Sequence, residues 1–171
     1  MYRLLGVMVA LALLTSGCAY KRAVNNLSPD ERNAFWAYRK VMRGSQERVY
    51  LSEPDEAARS AYLRDISVKQ RFDALDPQDR ESVLHGFIRK GMSADALYFL
   101  WGEPEDTSGA TGEWEYWIYR GFASDLFKHG NRYNEGSSRV RVFLVDNQVK
   151  WWTQEVPESH DDPGENDSQW H

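Results

Sequence analysis

The sequence predicts an α+β fold, in which N-terminal helices precede a helical hairpin that packs on a three-stranded antiparallel β-meander. Two observations predict it. Apolar residues recur at helical spacing as far as Trp101, and beyond Glu113 they alternate with a period of two. The chain has 171 residues, the length of one domain with appendages, and its 42% hydrophobic content is sufficient for one core.

Helix-capping signals divide the first part of the chain. Ser28 and Glu31 form a capping box around Pro29, which predicts a helix that stops at Gly44. Later helices are expected after the cap at Ser52–Asp55, over Val68–Leu75, from the Asp76-Pro77 cap to Gly86, and from Ser93 to Gly102.

Three strands are predicted after a loop over residues 105–112. Aromatic and β-branched residues alternate in each of them, and Asp146-Asn147 suits a tight hairpin turn because both residues tolerate positive φ. The pattern places aromatic residues on both faces of the sheet. One face must meet the helices, and the other is either a partner-binding surface or is covered by the N-terminal helices. The strands are Glu113–Tyr119, Arg139–Val145 and Gln148–Val156.

The first residues have the pattern of a bacterial lipoprotein signal peptide. Arg3 precedes an apolar run from Leu4 to Leu14, which is too short to span a bilayer, and small residues lead to Cys18, the only cysteine. The segment from Leu14 to Cys18 resembles a lipobox, although Thr15 occupies the usual place of the aliphatic residue. The resemblance implies cleavage after Gly17, acylation of Cys18 and, because no acidic residue follows, an outer-membrane anchor that faces the periplasm.

The expected organisation follows from these features. A signal peptide (1–17) and a short polar tether (18–27) precede a helical extension (28–76), a domain of two helices and three strands (77–156) and a disordered acidic tail (157–171). Most of the excess negative charge, −5 overall, lies in that tail. The rest is nearly neutral, which argues against nucleic-acid binding.

The C-terminal half carries a family resemblance. The residues Gly91-Met92-Ser93, then Gly102-Glu103-Pro104, then the strand Trp114–Tyr119 resemble the SmpA/OmlA (BamE-like) lipoprotein family over about residues 79–156. The resemblance implies a helical hairpin on a three-stranded meander, as also found in secreted β-lactamase inhibitors. It implies a role in outer-membrane β-barrel assembly through protein contacts. The extension from Ser28 to Asp76 has no counterpart in small family members.

We therefore expect a lipid-anchored interaction module that binds an envelope protein, for which a component of β-barrel assembly is one candidate. No catalytic residue, metal ligand or cofactor is predicted, because no nucleophile elbow, phosphate loop or metal-ligand spacing is present. Two alternatives remain: an envelope hydrolase that uses His129 with Asp125, and a structural lipoprotein associated with peptidoglycan. The expected partner-contact residues are Trp117, Tyr119, Phe122, Phe127 and Trp152.

Overall fold

The structure is a computed structural model that describes residues 19–110, 113–121, 123, 126 and 138–155. After a helical segment at residues 19–25, these residues form six helices and then four strands. The helices are α1 (Pro29–Val41), α2 (Gly44–Ser52), α3 (Glu56–Asp65), α4 (Val68–Asp73), α5 (Pro77–His85) and α6 (Ala94–Trp101). The strands are β1 (Asp106–Ala110), β2 (Trp114–Arg120), β3 (Arg139–Val145) and β4 (Gln148–Glu155).

Side-chain caps start the helices where the sequence predicts them. The Ser28 hydroxyl accepts from the Glu31 amide at 3.3 Å, and Asp55 accepts from the Ala58 amide at 2.8 Å. Asp76 and Ser93 cap α5 and α6 in the same way. Each cap satisfies an orphan amide of the first turn and contributes about 1 kcal/mol. The predicted helix ends at Gly86 and Gly102 are also confirmed.

The prediction that Gly44 stops the first helix is wrong. Helix α1 ends at Val41, and Gly44 is instead the first residue of α2. The Gln46 side chain accepts from the Arg43 amide at 2.8 Å, which allows the new helix to start there. Its Tyr50 ring stacks on Phe35 of α1 at 5.5 Å between centroids, so tertiary packing stabilises a helix that has little helical periodicity.

The segment after Cys18 is folded rather than a free tether. Residues 19–25 are helical, and Val24 and Leu27 are buried. The Tyr20 hydroxyl donates to Glu47 of α2 at 2.6 Å, and Arg32 of α1 donates to the carbonyl of Leu27 at 3.0 Å. Tyr20, Val24 and Leu27 follow an i, i+4, i+7 spacing, so the sequence carried the signal for this helical contact. The predicted signal peptide and Cys18 lie outside the described residues.

The sheet has four antiparallel strands in the order β1-β2-β3-β4, one more than predicted. The three predicted strands and the turn are confirmed, with Asp146 and Asn147 at φ 52° and 59°. The additional strand β1 occupies part of the predicted loop and pairs with β2 from Asp106↔Ile118 to Ala110↔Trp114. Its polar residues give no alternating pattern, because backbone pairing at an edge requires no apolar side chain.

One core lies between the helices and one face of the sheet, here called the inner face. Trp101 of α6 meets Tyr119 of β2 at 5.2 Å, and Tyr98 meets Trp117 at 4.8 Å. Elsewhere on α6, Phe99 contacts Phe72 of the helical extension at 5.4 Å. The extension and the C-terminal domain therefore share a core, and the described helices of the extension pack behind α6 rather than over the opposite, outer face.

Candidate functional site: the outer face of the sheet

The outer face carries four aromatic rings in mutual contact, here called the outer aromatic cluster: Trp114, Tyr116, Phe143 and Trp151. Tyr116 and Phe143 are register partners with ring centroids 4.8 Å apart, and Phe143 pairs with Trp151 at 5.5 Å. Trp114 remains 45% exposed and Trp151 36% exposed. The cluster thus presents a continuous apolar surface to solvent across β2, β3 and β4.

Gly109 of β1 positions the first ring of the cluster. Its φ is +118°, and a Cβ at this position would lie 2.8 Å from Cε3 of the Trp114 ring and would also overlap the Trp114 carbonyl. Only a residue without a side chain allows the indole this close to the β1 backbone. The edge strand that the sequence did not predict therefore supports one end of the cluster.

Three arginines lie beside the cluster on the same face, here called the arginine row: Arg120, Arg139 and Arg141. Arg120 is the register partner of Arg139, and Arg141 faces Ile118. Arg120 forms an ion pair with Glu105, and Arg141 pairs with Glu155 at 3.0 Å. These pairs are about two-fifths exposed, so each stabilises the fold by at most about 1 kcal/mol and can be exchanged for contacts with a partner.

Two of the expected contact residues lie in the core instead of on an exposed surface. Trp117 is 5% exposed and Tyr119 fully buried against α6. The Tyr119 hydroxyl donates to the Gly102 carbonyl at 3.3 Å, and burial raises the pKa of this tyrosine well above its ordinary value. The prediction therefore assigned the wrong set of alternate β2 residues to the exposed face of the sheet.

Of the other three expected contact residues, the structure describes Trp152 alone. Trp152 is half-buried and faces Val142 on the inner side of the sheet, packed against the core. Phe122 and Phe127 lie outside the described residues. The sequence of β3 indicates the exposed face, because Arg139 and Arg141 share one side of that strand. Because exposed charges mark the solvent face, Phe143 and its register partner Tyr116 belong there.

A polar cleft of about 680 Å³ lies at the junction of α4, α5 and the start of α6. Its buried carboxylate, Asp79, forms an ion pair with Arg89 and accepts from the Ser93 amide at 3.0 Å and the Ser93 hydroxyl at 2.8 Å. At the rim, Arg71 pairs with Asp95 and lies over the Phe99 ring. The charged groups thus pair with one another and hold α5 to α6.

The described residues offer little for the catalytic alternative. His129 and Asp125, the candidate pair for a hydrolase, lie outside them. His85 stacks beside Phe87 with ring centroids 6.3 Å apart, next to the end of α5. Over the described ranges, no three His, Cys, Asp or Glu side chains are grouped so that they would hold a metal ion. The outer face remains the candidate site.

Two further observations bear on identity. In the part of the chain that the structure describes, none of the helices has the length and apolar character needed to cross a membrane. No protein-family model, no curated protein and no solved structure matches the chain.

Proposed function

We propose that this protein is a lipid-anchored lipoprotein on the periplasmic side of the outer membrane, BamE-like in its C-terminal half, which binds another envelope protein through the outer face of its sheet. The observation that carries the proposal is the exposed outer aromatic cluster. Apolar patches of this kind on a small domain mark interaction sites, and Trp and Tyr are the residues that most often dominate binding energy.

The geometry of the outer face suits a protein partner. Its four rings are contributed by three adjacent strands, so their positions are fixed by backbone pairing and little order is lost on binding. The arginine row adds planar donors at one side of the apolar centre, in the arrangement of an apolar core with a polar rim. A partner with an apolar anchor and flanking carboxylates is complementary to this surface.

The anchor is supported by the sequence from Leu14 to Cys18 and by the helix that begins directly after it. Each buried methylene of an acyl chain contributes about 0.8 kcal/mol, so several chains on one cysteine hold a protein stably at a bilayer. Because the segment from Ala19 is docked on α2, an anchor at Cys18 would hold the body of the protein close to the membrane.

The anchor is tested by metabolic labelling with a fatty acid. The wild-type chain is expected to incorporate label and to fractionate with the outer membrane, and Cys18→Ser to do neither. A labelled Cys18→Ser product, or an unlabelled wild-type chain, would contradict the anchor.

The docking face is tested by affinity capture from membranes. Trp151→Ala combined with Phe143→Ala should lose the envelope protein that the wild-type chain retains. The matched control is Phe87→Ala, since Phe87 is 50% exposed but follows α5 and belongs to none of the strands of the sheet. Equal capture by the double variant and the control would exclude this face. Recovery of cell wall instead of protein would favour the peptidoglycan alternative.

A further inference from the structure

The part of the chain next to the proposed anchor is positively charged, in contrast to the protein as a whole. Residues 19–49 contain seven Lys and Arg against three Asp and Glu, although the complete chain has a net charge of −5. Four of these cations are exposed, and they are here called the basic surface: Lys21, Arg22, Arg43 and Arg48.

A partly buried contact at Glu47 brings the two halves of this surface together. The Tyr20 hydroxyl donates to Glu47 Oε1 at 2.6 Å, and Arg39 Nε lies 3.6 Å from the same oxygen. Lys21 and Arg22 follow Tyr20 directly, while Arg43 and Arg48 lie one turn before and one residue after Glu47. The carboxylate among them is only 15% exposed and is already engaged, so the exposed charge of this surface is positive.

The composition and extent of the basic surface suit an anionic membrane surface. The first turn of α2 exposes the small residues Gly44 and Ser45, and Val49 is 42% exposed beside Arg48. Other acidic residues lie at the opposite end of α2, where Glu31, next to Asp30, accepts from the Tyr50 hydroxyl at 3.3 Å and Glu53 follows Ser52. A nine-residue helix is about 13 Å long, so this negative charge is displaced from the basic start of α2.

We infer that the basic surface rests on anionic lipid headgroups and forms a second attachment to the membrane, an inference that relies on the proposed anchor only for bringing the protein there. Each Lys or Arg near a negatively charged bilayer strengthens binding about fivefold. Lys21 and Arg22 lie on the docked helix at residues 19–25, which begins one residue after Cys18, the proposed acylation site.

This attachment sets the orientation of the protein. Helix α2 packs on α1 through Tyr50 and Phe35, α1 packs on α6, and α6 covers the inner face of the sheet. The basic surface therefore belongs to the helical side of the sheet, and the outer aromatic cluster lies on the other side. With the basic surface on the lipid, the outer aromatic cluster is directed away from the membrane and toward a partner.

The experiment uses the chain that begins at Ala19, which lacks Cys18 and hence any acyl chain. It contains the complete core described here, from Val24 to Val149. Its sedimentation is measured with vesicles of phosphatidylcholine mixed with phosphatidylserine and with vesicles of phosphatidylcholine alone. Binding to the mixed vesicles only, weakened by added salt, is expected.

Two charge-matched variants locate the binding surface. Changing Lys21, Arg22, Arg43 and Arg48 to Gln should reduce binding about fivefold for each charge removed. Changing Arg120, Arg139, Arg141 and Lys150 to Gln removes the same charge from the sheet and should leave binding nearly unchanged. Arg43→Lys with Arg48→Lys keeps the charge and should retain binding, which separates charge from folding.

Equal binding to both kinds of vesicle, or equal losses in the two Gln variants, would overturn the inference. So would a loss of binding in the Lys variant. The result is independent of the proposed function, because acylation is read from fatty-acid labelling and partner docking from capture, and neither enters the vesicle measurement.

Discussion

Asp79 shows how one buried charge organises its neighbourhood. It is 2% exposed and receives three hydrogen-bond donors, from Arg89 and from the amide and hydroxyl of Ser93. The Ser93 hydroxyl in turn caps α6 by accepting from the Ala96 amide. The carboxylate thus fixes both the end of the 86–93 connection and the start of the helix that covers the sheet.

Removing the charge of Asp79 should destabilise the fold. We expect Asp79→Asn to lower the free energy of unfolding by about 3 kcal/mol, since the Arg89 guanidinium and the Ser93 donors lose a buried charged acceptor. Denaturant unfolding measures this value. Asp73→Asn, which breaks the exposed pair with Lys69, is the control and should cost less than about 0.5 kcal/mol. Similar losses in both variants would refute the assigned role.

Lys40 should make the stability of the fold depend on pH. Burial, together with the nearby Arg39, lowers the pKa of Lys40 from 10.5 to about 8, and its ammonium group donates to the Leu126 carbonyl at 2.6 Å. Because the folded state binds this proton less tightly than the unfolded state, the contribution of Lys40 to stability should increase as the pH rises from about 8 to 10.5.

Comparison with Lys40→Met isolates this contribution. The free energy of unfolding of the wild-type chain, minus that of the variant, should increase from pH 8 to pH 10. The comparison stops at pH 10. Above this ordinary tyrosine pKa of 10.0, the stability that comes from the buried Tyr38, whose pKa is raised to about 12, begins to fall. A difference that falls over this range would contradict the assignment.

At the scale of elements, helix starts that depend on local side chains could be predicted from the sequence, and elements that depend on long-range pairing could not. Ser28, Asp55, Asp76 and Ser93 start helices through their own side chains, so four helix starts followed from residue types alone. Strand β1 depends on backbone bonds to β2, and α2 depends on the stacking of Tyr50 on Phe35. Neither interaction leaves a periodic pattern in the sequence.

Strand β1 should depend on Gly109. We expect Gly109→Ala to cost about 1–3 kcal/mol, because alanine at positive φ is strained and its Cβ would displace the Trp114 ring. Thermal unfolding measures the loss, and near-ultraviolet circular dichroism reports the indole. Ser108→Ala, on the same exposed strand, is the control and should change stability by less than about 0.5 kcal/mol. An unchanged Trp114 environment in Gly109→Ala would contradict the packing.

At the scale of the whole molecule, the layers separate two surfaces of different chemistry. The helical side presents the basic surface near the proposed anchor, and the far side of the sheet presents the outer aromatic cluster. The sequence predicted that both sheet faces are aromatic, and the charges of β3 were its one indication of which face is exposed. The face is covered by the packing of Tyr98 and Trp101 of α6 on Trp117 and Tyr119, a contact that the pattern of β2 alone does not indicate.

Site-specific photo-crosslinking in intact cells tests the docking claim most directly. A photoreactive amino acid is placed at Trp151 or Thr153 on β4, and at Glu81, an exposed position on α5, as the control. We expect a discrete adduct with one envelope protein from the two β4 positions and none from Glu81. Adducts from Glu81 alone, or from none of the three positions, would contradict docking through the outer face.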